Sequence, residues 1–213
     1  MTDYSQLKQR HRAERHAYSI ALSTRVHRAL SWLNKSESCE DDDAKFTFLW
    51  IAFNSAYAQD FDYRYNLGER YLHKEFFSKL VEIDKKERLY NIVWRNYSNT
   101  IRITLNNEYI LQPFWEFHSG RITDDKWKKI RQSENTAAND ALSEKDTALI
   151  LSIVFNRLYT LRNQIIHGGA TYGSSVNRKQ LRDCTLLLEQ IVPVIIDLMM
   201  DGKNEVWGIR FTL

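Results

Sequence analysis

The sequence predicts an all-α protein, and three observations predict it. Apolar residues recur at helical spacing through most of the chain, turn residues are scarce, and strand-like alternation is confined to the C-terminus. Only seven Gly and two Pro occur in 213 residues, whereas an all-β chain needs a turn signal about every 8–12 residues. Nothing in the composition separates two domains, so residues 1–213 are expected to form one helical unit.

Taken in order, residues 4–33 read as one long amphipathic helix, with Ala13, Ala17, Ile20, Ala21, Ala29 and Trp32 among charged neighbours, stopping at Asn34. The run Glu40-Asp41-Asp42-Asp43 precedes an apolar segment, where carboxylates cap free N–H groups and oppose the positive end of a helix dipole. The next segment, 46–57, is apolar almost all round and is expected to be the most buried helix, with Trp50, Phe53 and Tyr57 in the core. Asn54 is its one conspicuous polar residue.

Additional helices are expected in the middle third over 69–81, 85–103 and 107–117. Residues 119–141, with Gly120, a Trp127-centred helical turn and the polar stretch 132–140, read as a mobile surface excursion. Ser143 is the expected cap of a helix that runs to His167 and ends at Gly168-Gly169. A last helix over 176–200 contains Pro193, which predicts a kink, and the tail 205–213 reads as a short extended arm.

Composition narrows the function. With 43% hydrophobic residues and no run of about 18 apolar residues, neither disorder nor a membrane span is expected. The first ten residues lack the apolar core of a secretory signal, so a cytoplasmic location is the expectation. Cys39 and Cys184 are isolated, which gives no support to a disulfide framework or a metal site, and no cofactor is implied. The net charge of +3 is compatible with a nucleic-acid ligand without requiring one.

The helix ending at His167 carries the candidate chemistry. At about 100° per residue, Leu151, Val154, Leu158, Leu161 and Ile165 make a core stripe. Asn156, Thr160, Asn163 and His167 fall together on the opposite side, with Arg162 further round. Exposed helix faces favour Lys and Glu; Asn and Thr are poorer helix formers, so this stripe suggests a contact that holds them. Arg162 and His167 stand about 140° apart, too far for one tight site on one helix. A second copy of the helix across a two-fold axis would bring complementary Arg and His together.

These residue types suit phosphodiester chemistry. A guanidinium forks onto phosphate oxygens and stabilises the charge of a pentacovalent transition state, while an imidazole takes a proton from a ribose 2′-OH or returns one to the leaving oxygen. Asn163 would orient the imidazole or bond the phosphate, and Thr160 would assist from the same face. Arg10 and His16 have a similar spacing, so the pair Arg162 and His167 gains its weight from context: Asn163 beside the arginine and glycines after the histidine.

Leu161-Arg162-Asn163-Gln164-Ile165-Ile166-His167-Gly168-Gly169, followed by a long apolar helix, resembles the C-terminal signature of the HEPN-domain superfamily. Leu49-Trp50-Ile51-Ala52-Phe53-Asn54-Ser55-Ala56-Tyr57 resembles the buried early helix of one branch of it. The resemblance covers residues 45–57 and 145–200 and not the middle third. It implies a helical bundle, usually a homodimer, with Arg162 and His167 of both copies in a cleft that cuts RNA without metal. It also implies a toxin or defence role, silenced in some members by an antitoxin or other regulatory protein. One subgroup carries a Tyr two residues after the His, where a nucleotidyltransferase modifies it; here that position is Gly169 and the nearest tyrosine is Tyr172.

Asn54 is read either as a buried amide satisfied by backbone or as a group supporting Arg162 or His167. His11, His16 and His27, with Arg10, Arg12, Arg15, Arg25 and Arg28, make the first helix strongly basic, either a solvated face or a track for an RNA backbone. A different class of function fits the same residues: a non-catalytic dimerisation module that binds nucleic acid or protein, with Arg162 and His167 structural. A small-molecule hydrolase fits less well, because the sequence has no nucleophile elbow, metal-ligand cluster or paired carboxylates near His167.

Overall fold

Ser19 breaks the long first helix that periodicity predicts. The computed structural model describes residues 3–57, 69–175 and 178–207, and every regular element among them is helical. Helix α1 (Tyr4–Glu14) starts at Asp3, whose carboxylate accepts the Gln6 N–H at 2.9 Å, and closes in a 3-10 turn, Arg15–Ala17. Ser19 is extended, and its hydroxyl accepts the Leu22 N–H at 3.2 Å. Such a cap stabilises a new helix by about 1 kcal/mol. Helix α2 (Ile20–Glu37) therefore folds back against α1 and runs past Asn34.

Asp41 opens α3 (Asp42–Tyr57) by accepting the Ala44 N–H at 2.8 Å, so the acidic run is a helix start, as its position suggests. Helix α3 packs on α2 and on the last helix, α10 (Arg178–Asp201). Trp50, Phe53 and Tyr57 are core residues. Phe53 meets Phe155 of α9 (Thr147–Ile166) with ring centres 4.3 Å apart, and Phe77 of α4 (Glu69–Ile83) lies 4.8 Å from the same ring. The centre of the core is Phe155, and α9 and α10 bury longer stretches than α3.

The middle third departs most from periodicity. Glu87 adopts a left-handed conformation, and the expected helix over 85–103 resolves into α5 (Arg88–Asn91), a π turn (Ile92–Asn96) and α6 (Ser98–Asn106). A 3-10 turn at Glu108–Ile110 and α7 (Gln112–His118) follow. The segment 119–141 does lie at the surface, most of its residues exposed, but from Asp124 it is a regular long helix, α8 (Asp124–Ser143). Thr123 caps it by accepting the Lys126 N–H, Asp124 and Asp125 sit in its first turn, and Trp127, Ala138 and Ala141 form a narrow buried stripe. Glu134 reaches the buried Arg157 of α9 at 3.1 Å, so even the polar stretch is tied down.

The cap of α9 is Asp146, which accepts the Leu149 N–H at 2.9 Å; Ser143 belongs to α8. Helix α10 continues through the buried Pro193 to Asp201. There Arg10 and Arg88 converge on Asp197 and Asp201, and Arg88 also reaches Asp84, joining α1, α5 and α10. Gly202 follows in close quarters: a Cβ there would lie 2.6 Å from Ile83 Cδ1 and 2.9 Å from Trp207 Cζ2. Trp207 is buried, and residues 208–213 of the expected extended tail lie outside the described residues. Among the described residues no helix is long and apolar enough to cross a membrane.

Candidate functional site

Helix α9 ends at Ile166, with His167 as its C-terminal cap and Gly168 left-handed at φ 71°. Glycine adopts that conformation without the Cβ penalty other residues meet. The Gly168 N–H donates to the Ile165 carbonyl at 3.3 Å and the Ala170 N–H to the Gln164 carbonyl at 3.0 Å, which satisfies the last carbonyls of the helix. His167 is exposed beyond this turn.

Arg162 and Asn163 are half-buried on the preceding turn, and Arg162 Nη1 donates to Asn163 Oδ1 at 2.9 Å. The asparagine thus orients the guanidinium rather than the imidazole. Gln164 Nε2 donates to the Tyr109 carbonyl at 2.7 Å, and Trp115 Nε1 donates to the same oxygen at 2.8 Å. Tyr109, Trp115 and Ile166 are large apolar side chains left exposed at this end. Asn107 bonds Gln180 at 2.7 Å, which places the end of α9 beside the start of α10.

The structure separates the other two candidates from this group. Thr160 is buried, and its hydroxyl bonds back to the Asn156 carbonyl at 3.4 Å. Asn156 Oδ1 in turn lies 2.8 Å from Nδ1 of His73, which is buried on α4 among Phe53, Tyr57 and Phe155. The polar stripe of α9 therefore packs against α4 at Asn156, with Ser152 and Thr160 buried, and becomes fully exposed only at His167. Asn54 is exposed on α3, not buried as one reading had it. Its neighbour Phe53 packs on Phe155, about two helical turns before Arg162. Among the described residues no hydrogen bond joins Asn54 to Arg162 or His167.

Sequence reasoning missed the buried His73 and Arg157, whose partners Asn156 and Glu134 lie far away in the chain. A histidine or arginine at an otherwise apolar helix position was the available signal. Burial and the charges of neighbouring groups mark other residues as unreactive: Cys184 is buried, which pushes its thiol up to about 12. Among the described residues no three His, Cys, Asp or Glu side chains are grouped to hold a metal ion. A groove of about 540 Å³, lined by Lys79, Glu82, Lys85, Arg88, Asp201 and Glu205, lies at the far end of α10, away from His167.

Comparison with protein-family models, curated proteins and solved structures finds no match to this chain.

Proposed function

We propose that the protein is a metal-independent endoribonuclease of the HEPN type, acting as a homodimer whose composite site takes Arg162, Asn163 and His167 from each copy. The observation that carries this reading is the solvent-facing end of α9, where Asn163 holds Arg162 and the Gly168 turn leaves His167 exposed. The exposed Ile166, Tyr109 and Trp115 supply apolar surface that a second copy would cover. The basic pair then faces its counterpart across the two-fold axis, which closes the 140° gap that one helix leaves.

In this mechanism a ribose 2′-oxygen attacks the adjacent phosphorus as its proton passes to one His167. The P–O5′ bond breaks, and the leaving oxygen takes a proton from the protonated His167 of the second copy. Arg162 stabilises the added negative charge on the phosphoryl oxygens, and the products are a 2′,3′-cyclic phosphate and a 5′-hydroxyl. Such a nuclease suits a toxin or defence role under the control of an antitoxin.

The test is cleavage of a mixed RNA pool in excess EDTA by wild-type protein beside folded Arg162→Ala and His167→Ala variants. Cyclic-phosphate ends from the wild type alone are expected. Cleavage retained by His167→Ala rejects the mechanism, and a dimer that cuts nothing moves the reading to a non-catalytic binding module.

A further inference from the structure

The basic first hairpin is not uniformly solvated. Arg10 is matched by Glu14, Asp197 and Asp201, Arg25 is buried against the Ala56 carbonyl, and His11 is buried between α1 and α2. What remains faces outward. Lys8, Arg12 and Arg15 follow one another at i, i+4 and i+7, a row with about 6 Å between Lys8 and Arg12 along the axis. His27 joins them from α2, its Nδ1 3.4 Å from Lys8 Nζ.

We propose that this face, made of Lys8, Arg12, Arg15 and His27, is a second nucleic-acid contact that grips the phosphate backbone of an RNA strand, about 25 Å from the His167 end of the bundle. The separation follows from α10: Arg10 meets Asp197 near its C-terminal end, whereas the end of α9 lies beside Gln180 near its N-terminal end. That the strand is RNA rests on the ribonuclease reading; the anionic contact itself does not.

Among the described residues, Lys8, Arg12 and Arg15 have no carboxylate within ion-pair distance. Beneath them His11 is buried with Nδ1 lacking a hydrogen-bond partner. Burial and the charges of Arg12 and Arg15 lower the Lys8 pKa, and burial with Lys8, His27 and Arg15 lowers that of His11. Like charges are crowded together here with no counter-charge of the protein's own, while α1 matches Arg10 completely on its other side. A strand of phosphates supplies the missing charge at a spacing that a rigid helix can follow. Ile20, exposed at the start of α2, makes an anionic lipid surface the competing outcome.

The experiment is fluorescence anisotropy with a labelled single-stranded RNA of about 20 nucleotides, long enough to span the two ends. It is run on a His167→Ala background so that the strand stays intact. The triple variant Lys8→Gln, Arg12→Gln, Arg15→Gln is expected to weaken binding at least about tenfold near 0.1 M salt and to flatten the slope of log K against log salt by about 2, at about 0.7 per phosphate lost. Lys8→Arg should bind as the parent does. Removing mutual repulsion should leave the Tm of the triple variant no lower, which separates a lost contact from a lost fold.

Unchanged affinity and slope overturn the proposal. So does wild-type binding to phosphatidylserine vesicles through these residues with none to RNA. Triple-sensitive RNA binding by a wild-type protein that cuts nothing removes the ribonuclease reading and leaves this contact standing.

Discussion

The two ends of α10 are built differently. Near its C-terminus Asp197 and Asp201 gather Arg10 and Arg88 from two other helices, and Gly202 lets the chain turn against Ile83 and Trp207. Near its N-terminus Arg178 meets Asp43, and the adjoining end of α9 leaves Arg162, Asn163 and His167 facing solvent. One end gathers Arg10 and Arg88 onto two carboxylates of α10; the other pairs α10 with α3 and leaves the neighbouring end of α9 open. A charged side chain serves stability where several helices converge on it, and it is free for a ligand where a helix stops at the surface.

The largest expected effect breaks the first end. Asp197→Ala removes the acceptor shared by Arg10 and Arg88 and should cost about 2–4 kcal/mol in urea unfolding, because each half-buried cation loses one charge-assisted bond while keeping Asp201 and either Glu14 or Asp84. Arg178→Ala should cost less, about 1 kcal/mol, because it breaks one pair of similar exposure rather than two. Equal losses would erase the contrast. Gly202→Ala comes next, at about 1–3 kcal/mol, since its new methyl collides with Ile83 and Trp207.

At the open end, Gly168→Ala should cost about 1 kcal/mol through its left-handed backbone alone, for nothing lies within 4 Å of the added Cβ. Acid sharpens the comparison from inside the bundle. Burial lowers the pKa of both His11 and His73, the former helped by Lys8, His27 and Arg15, the latter opposed by Asn156. The unfolded chain then takes up protons first, so stability is intact above about pH 6.5, the ordinary histidine value, and declines as pH falls below it. Thermal melts between pH 7 and 5 should show that decline, and a His11→Gln, His73→Gln variant should flatten it. The smallest expected effect on stability is His167→Ala, within about 0.5 kcal/mol of wild type, together with complete loss of RNA cleavage.

The site's last turn was legible in the sequence because its signals are local. Gly168 after a periodic helix marks the end, and Arg162, Asn163 and His167 need only that end to be exposed. Thr160 and Asn54 were misplaced because a helical wheel separates polar from apolar faces without telling which face another helix covers. Helix α4 lies over the upper polar stripe of α9, and the bond from His73 to Asn156 joins residues distant in sequence. The break at Ser19 escaped because apolar spacing continues across it, while α8 was hidden by a buried stripe as sparse as Trp127, Ala138 and Ala141.

The carbonyl of Tyr109 gives this protein an optical readout of its own. It joins Gln164, three residues before His167, to the indole of the exposed Trp115. Trp115 is one of six tryptophans, so in a variant that keeps it and replaces the others, emission and iodide quenching should follow a second copy or a strand settling on the α9 terminus without any attached dye.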